Sequence, residues 1–146
     1  MKRMLAVVAL VLGLALPAWA DAVSEVRKLA EQGDPEAQFV LGNLYRDGQG
    51  VEKDLAQTIA WWEKAAALGY VDAQFALGNI YSGGYGVTKD YVLSYMWFDI
   101  TAARTDSALL APIAESNRDV LVDRMAAAEV AKAKQMSADW LAKHKQ

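Results

Sequence analysis

One pattern of residues occurs twice in this chain, and the two copies are offset by 36 positions. The first copy runs from Gly33 to Asp54 and the second from Gly69 to Asp90. A period in this range is typical of stacked-repeat proteins, in which each unit buries its apolar face against the next. Such proteins usually offer surfaces to partners and not active sites. The repeat therefore predicts an architecture and a class of role.

The N-terminus has the organisation of a secretory signal peptide. A short basic start precedes an apolar run over 5–16, and small residues stand at Ala18 and Ala20. The run is shorter than the roughly 20 residues that span a bilayer, which disfavours a retained anchor. We therefore expect a signal peptide over 1–20, cleaved between Ala20 and Asp21, and a periplasmic or secreted protein without stable membrane insertion.

Composition limits the kinds of partner. The formal net charge is −3, and removing the basic N-terminus makes the chain more acidic still. An acidic domain without a basic stripe argues against nucleic acid and against anionic lipid surfaces. The chain has no cysteine, so no disulfide supports the fold and helix packing has to supply the stability.

Helix signals divide 21–146 into parts of one helical repeat domain. Asp34 and Asp54 are predicted helix N-caps, and Pro35 suits a first helical turn. Gly42 and Gly78 recur inside a helix, where glycine costs about 1 kcal/mol relative to alanine, so we expect another helix to cross closely there. The predicted parts are an N-terminal half-unit over 22–32, repeat one over 33–68, repeat two over 69–103 and capping helices over 104–146.

The predicted capping helices depart from the repeat pattern, as terminal units of solenoids do. They span 107–123 and 126–143, with an interruption at Pro112. The apolar residues of the first are Leu109, Leu110, Ile113, Val120 and Leu121. No strand pattern occurs along the chain.

The repeated residues resemble the Sel-one-like repeat, a relative of the tetratricopeptide repeat. The resemblance implies an all-α fold, an α/α superhelical solenoid of helix-turn-helix repeats. It also implies a scaffold or adaptor for a protein or peptide partner, often in the bacterial envelope. Thr58 and Ser94 depart from the family's usual alanine. The residues that carry the resemblance are Ala37-Gln38-x-x-Leu41-Gly42-x-x-Tyr45-x-x-Gly48-x-Gly50-Val51-x-x-Asp54, then Trp61-x-x-x-Ala65-Ala66.

No residue constellation predicts catalysis. Gly48 and Gly50 precede a lysine, but their spacing is not that of a phosphate loop and no strand precedes them. Asp54 and Asp90 are better read as helix caps than as an acid–base pair. His144 is the only histidine, so no metal site or base is expected from it. We predict no enzyme, no catalytic residue, no metal and no cofactor; an enzyme or accessory acting on cell-wall polymers or β-lactams is the alternative.

Aromatic residues at repeat positions are predicted to pack between helices. They are Tyr45, Tyr81, Trp61 and Trp97, whereas the pattern does not decide the environment of the adjacent Trp62 and Phe98.

A second set of repeated residues gives the candidate partner-binding face. Phe39, Asn43 and Arg46 lie at i, i+4 and i+7 of one predicted helix, rotated from its apolar stripe. Phe75, Asn79 and Ser82 repeat this spacing. Asparagine side chains can donate and accept hydrogen bonds to a peptide backbone. The face is either a groove for an extended peptide or a partner helix, or a packing seam for the two phenylalanines. Self-association, with exposed solenoid ends stacking chain on chain, is a third possible role for the protein.

Overall fold

The computed structural model describes residues 16–144, and every regular element in that range is a helix. The all-α prediction is therefore confirmed. Residues 1–15 of the predicted signal peptide lie outside the described range, and the predicted cleavage point falls within the first helix. The helices are α1 (Leu16–Glu31), α2 (Pro35–Asp47), α3 (Leu55–Ala67), α4 (Val71–Gly83), α5 (Tyr91–Arg104), α6 (Leu110–Val122) and α7 (Ala127–Lys143).

The chain forms two compact units, Met1–Leu68 and Gly69–Gln146. In the first unit, α2 packs against both α1 and α3. In the second unit, α5 packs against α4, α6 and α7. None of the helices within 16–144 combines the length and the apolar character needed to cross a membrane.

Local signals begin and end the repeated helices where the sequence predicts. The side chains of Asp34, Asp54 and Asp90 accept hydrogen bonds from backbone N–H groups three residues later, at 3.1, 3.0 and 2.9 Å. Gly48 and Gly84 end α2 and α4 with φ of 70° and 65°, a left-handed conformation that glycine adopts without steric cost. The carboxylates of Asp54 and Asp90 thus serve as caps, and the glycines form turns.

One core cluster of the first unit lies between α1 and α2, with Val51 of the following turn packed against it. Tyr45 and Trp61 are only half-buried at its edge. The buried side chains of this cluster are Val23, Val26, Ala30, Ala37, Leu41 and Leu44.

An aromatic ring lies directly on a helical glycine in each repeat. A Cβ atom built at Gly42 would lie 2.4 Å from Trp62 Cδ1, and one at Gly78 would lie 2.6 Å from Phe98 Cε1. The close helix crossing predicted for these glycines is confirmed. Trp62 and Phe98 are 3% and 1% exposed, so the rings left undecided by the sequence are buried core residues.

Buried hydroxyl groups occupy the same crossings. Thr58 and Ser94 are fully buried. The Thr58 hydroxyl donates to the carbonyl of Asp54 at 2.9 Å, and the Ser94 hydroxyl donates to the carbonyl of Gly78 at 2.7 Å. A small side chain permits the close approach, and the hydrogen bond offsets the cost of burying its hydroxyl.

Helix α5 is the centre of the second unit. Its Asp99 carboxylate accepts a hydrogen bond from Arg118 of α6 at 2.8 Å and another from Ser137 of α7 at 2.6 Å. Burial, followed by the negative charge of Asp99, raises the pKa of Tyr95. One carboxylate thus joins three helices.

Much of the apolar surface of α6 is exposed. Leu109, Ile113 and Val120 are 79%, 49% and 53% exposed. Ala114 and Leu121 are buried instead. Two apolar stripes run along this helix, and α5 covers the one that contains the small Ala114. Pro112 lies in the first turn, where its missing N–H interrupts no hydrogen bond.

The glycine crossing generates a stability prediction. We expect Gly42→Ala to lower the free energy of unfolding by about 1–2 kcal/mol, because the clash with Trp62 outweighs the helical preference of alanine. Urea denaturation followed by circular dichroism measures the change. In a Trp62→Leu background the same substitution should be neutral or stabilising. A higher urea midpoint for Gly42→Ala in the wild-type background would contradict this account.

Candidate functional site

In the first unit, α2 brings two of the predicted site residues onto one ring. The Phe39 ring centroid lies 5.9 Å from that of Trp62. The guanidinium carbon of Arg46 lies 5.7 Å from the Trp62 ring centroid. Phe39 is half-buried and Arg46 is exposed. The buried Trp62 therefore supports residues at both ends of the predicted face.

Arg46 is already paired within the chain. Its Nε and Nη2 donate to the two carboxylate oxygens of Asp47 at 2.8 and 2.9 Å. The hydrogen bond from Arg46 lowers the pKa of Asp47, so the pair stays ionised at neutral pH. An exposed pair of this kind contributes little to stability, but the Asp47 carboxylate neutralises much of the positive charge of Arg46.

Asn43 lies between Phe39 and Arg46 on α2. Its Oδ1 is buried and accepts no hydrogen bond from any described residue, and the buried Trp62 Nε1 likewise donates none. An unpaired buried polar atom costs free energy. Folding therefore gains nothing from the buried Asn43 oxygen and loses the free energy of removing that oxygen from water.

In the second unit, α4 presents the corresponding residues. The Phe75 ring centroid lies 5.6 Å from that of Phe98, which repeats the contact between Phe39 and Trp62. Asn79 is exposed, and the Ser82 hydroxyl donates to the Asn79 carbonyl at 2.9 Å. The phenylalanines in both units are thus half-buried rings that pack on the second helix of the repeat.

A groove of about 200 Å³ lies between α4 and α6. Buried Phe98 of α5 lies beneath it. Asn79 and Ser82 are predicted site residues that line this groove; the other lining residues are Asn117, Val120, Leu121 and Arg124.

Sequence reasoning missed the α6 side of this groove. Asn117 and Val120 lie three residues apart on one face of α6, and Arg124 lies in the turn that follows the helix. That spacing was available in the sequence, but α6 lacks the repeat pattern. Nothing in the sequence therefore indicated that this side of α6 lies beside α4.

Residues considered for catalysis or metal binding have structural contacts. His144 stacks on Trp140 with ring centroids 4.0 Å apart, and its Nδ1 lies 2.7 Å from the Trp140 carbonyl oxygen. Within residues 16–144, no three His, Cys, Asp or Glu side chains cluster where they would hold a metal ion.

Comparison with known proteins identifies the repeat. The family model of the Sel1 repeat, the Sel-one-like repeat, matches residues 35–70 and 71–106. The chain is a Sel1-repeat protein. No curated protein matches it in sequence.

Two solved structures are similar to this Sel1-repeat protein. One is a protective antigen present in uropathogenic Escherichia coli strains and displaying an SLR fold; it is 35% identical with a TM-score of 0.83. The other is a Sel1 repeat protein from Oxalobacter formigenes, 34% identical with a TM-score of 0.61. The matches cover 95% and 70% of this chain, but only 29% and 40% of those proteins.

These matches confirm the predicted fold class, an all-α helical-repeat solenoid. Sel1-repeat proteins generally mediate protein–protein interaction and are typically non-catalytic scaffolds. The chain spans less than half the length of either structural neighbour. The matches therefore support a protein partner and leave its identity to experiment.

The unpaired oxygen of Asn43 generates a second stability prediction. We expect Asn43→Leu to leave the fold as stable as the wild type or to raise the free energy of unfolding by about 1 kcal/mol, because the buried acceptor is removed. Asn79→Leu is the matched control, and its exposed side chain should leave the urea midpoint unchanged. A marked loss of stability in Asn43→Leu alone would show that Asn43 has a structural role.

Proposed function

We propose that this Sel1-repeat protein is a non-enzymatic adaptor of the bacterial envelope that binds a segment of a protein partner. The binding surface comprises the predicted face of each repeat: Phe39, Asn43 and Arg46 in the first unit, and Phe75, Asn79 and Ser82 in the second. The observation that carries the proposal is the groove beside Asn79 and Ser82, in a family of interaction scaffolds.

The contacts of these residues support a preorganised surface. Phe39 and Phe75 are held against buried rings of the adjacent helix. Asn43 and Asn79 lie one turn further along the same helices. Because helix packing fixes these side chains before binding, little conformational entropy is lost when a partner binds.

The proposed envelope location depends on the N-terminal sequence. The basic start, short apolar run and small residues before Asp21 suit export and cleavage. A structural neighbour is described as a protective antigen present in uropathogenic Escherichia coli strains. Both observations favour a periplasmic or extracellular protein.

Partner capture tests the binding surface. The wild-type protein and an Asn43→Ala/Asn79→Ala variant are immobilised, exposed to envelope extract and compared by quantitative mass spectrometry. We expect a partner whose recovery falls about tenfold or more in the variant, because removing the amides leaves buried groups of the partner without hydrogen bonds. Alanine at Phe39 or Phe75 is less informative, because it also removes ring packing.

The matched control is Gln57→Ala/Gln135→Ala, which removes two exposed amide side chains from α3 and α7. It should capture the same partner as the wild type. Equal recovery by all three proteins, with helicity confirmed by circular dichroism, would refute the assignment of these faces.

Export tests the proposed location. Expressed in Escherichia coli, the wild-type chain should reach the periplasm with Asp21 as its first residue, as read by mass spectrometry of the intact protein. Ala20→Arg should accumulate as precursor, since signal peptidase accepts only small residues at this position. The matched Ala20→Ser variant should be processed. An unprocessed wild-type chain in the cytoplasm would overturn the export proposal.

A further inference from the structure

Arg124 is the unusual charge in the groove between α4 and α6. It is exposed, and among residues 16–144 its guanidinium forms no ion pair. No hydrogen bond from its guanidinium is present in that range either. The other arginines there each have an acceptor: Arg118 and Arg46 pair with carboxylates, Arg27 donates to the Tyr45 hydroxyl, and Arg104 donates to the His144 carbonyl. The chain as a whole is acidic. An unpaired guanidinium inside a groove is complementary to a carboxylate, which it binds in two parallel hydrogen bonds.

The two asparagines of the groove add a second kind of recognition. Asn79 belongs to α4 and Asn117 to α6, so the groove carries an amide on each side. No hydrogen bond within the described range engages either side-chain amide. Each amide offers two N–H donors and a carbonyl acceptor, the groups that an extended peptide backbone requires.

An apolar stripe adjoins these polar groups. Val120 lines the groove and is 53% exposed. Leu109 and Ile113 continue the stripe along α6, and all three lie within about 40° of helical arc. Exposed aliphatic side chains in a row usually mark an interaction surface. An aliphatic surface therefore borders the polar groups of the groove.

We propose that this groove binds an extended peptide segment in which an Asp or Glu side chain stands next to aliphatic residues. The carboxylate pairs with Arg124, the main chain bonds to Asn79 and Asn117, and the aliphatic side chains pack on Val120 and Ile113. This proposal rests on the proposed function, since it names the chemical class of the partner segment. Charge complementarity at Arg124 is the observation that selects an acidic segment.

Peptide display tests the proposal. Random eight-residue peptides, displayed with both ends joined to the carrier protein, are selected on the purified wild-type chain. We expect enrichment of an acidic residue next to Val, Leu or Ile. Enriched peptides, synthesised with acetylated and amidated ends, should bind Arg124→Gln about tenfold or more weakly than the wild type. Arg124→Lys should recover part of that loss.

The matched control is Lys28→Gln, which removes an exposed positive charge of α1 that does not line the groove. It should bind the selected peptides as the wild type does. Because no described residue pairs with Arg124, its variants should retain wild-type helicity, and circular dichroism checks this. Selection of no peptides, of peptides without an acidic residue, or of peptides equally bound by Arg124→Gln would overturn the proposal.

Two other occupants give distinct results. If binding needs a free C-terminal carboxylate, only non-amidated peptides will bind, and the assignment to an acidic side chain fails. If the groove holds a second copy of the chain, sedimentation will show a wild-type dimer that Val120→Asp dissociates. Partner capture that is lost in Asn43→Ala/Asn79→Ala but retained in Arg124→Gln would leave the proposed function standing and this inference refuted.

Discussion

The contact between a helical glycine and a buried aromatic ring holds each repeat together. Trp62 lies on Gly42 and Phe98 lies on Gly78, at distances that leave no space for a Cβ atom. The close crossing explains why the hydroxyls of Thr58 and Ser94 fit at the same place. It also explains why glycine is kept inside a helix that alanine would favour.

The same rings connect the core to the candidate binding faces. Phe39 packs on Trp62 and Phe75 packs on Phe98, and Phe98 also lies beneath the groove between α4 and α6. A change in the packing of Trp62 or Phe98 would therefore move both helices of the repeat together with the candidate binding face. The asparagines one turn away are better probes of binding, because they can be altered without removing a ring.

The second unit differs from the first because its last two helices break the repeat. Helix α5 joins α6 and α7 through Asp99, which accepts hydrogen bonds from Arg118 and Ser137. The side of α6 that faces α5 contains a small Ala114, which leaves the larger Leu109, Ile113 and Val120 exposed. The groove with Arg124 thus forms where the repeat pattern ends. The first repeat therefore gives no pattern from which this groove could be predicted.

The sequence by itself determined the helices, their caps and the turns between them. Asp34, Asp54 and Gly48 act on backbone groups within a few residues, and such local geometry is readable from neighbouring positions. The period of 36 likewise determined the repeat family, and Gly42 and Gly78 indicated a close crossing. Only the tertiary structure decided that Trp62 and not Trp61 fills that crossing, which stripe of α6 is covered, and that Arg124 shares a groove with Asn79. These outcomes depend on the angle at which two helices cross and on the rotation of each helix about its axis. The residue pattern within one helix determines neither quantity.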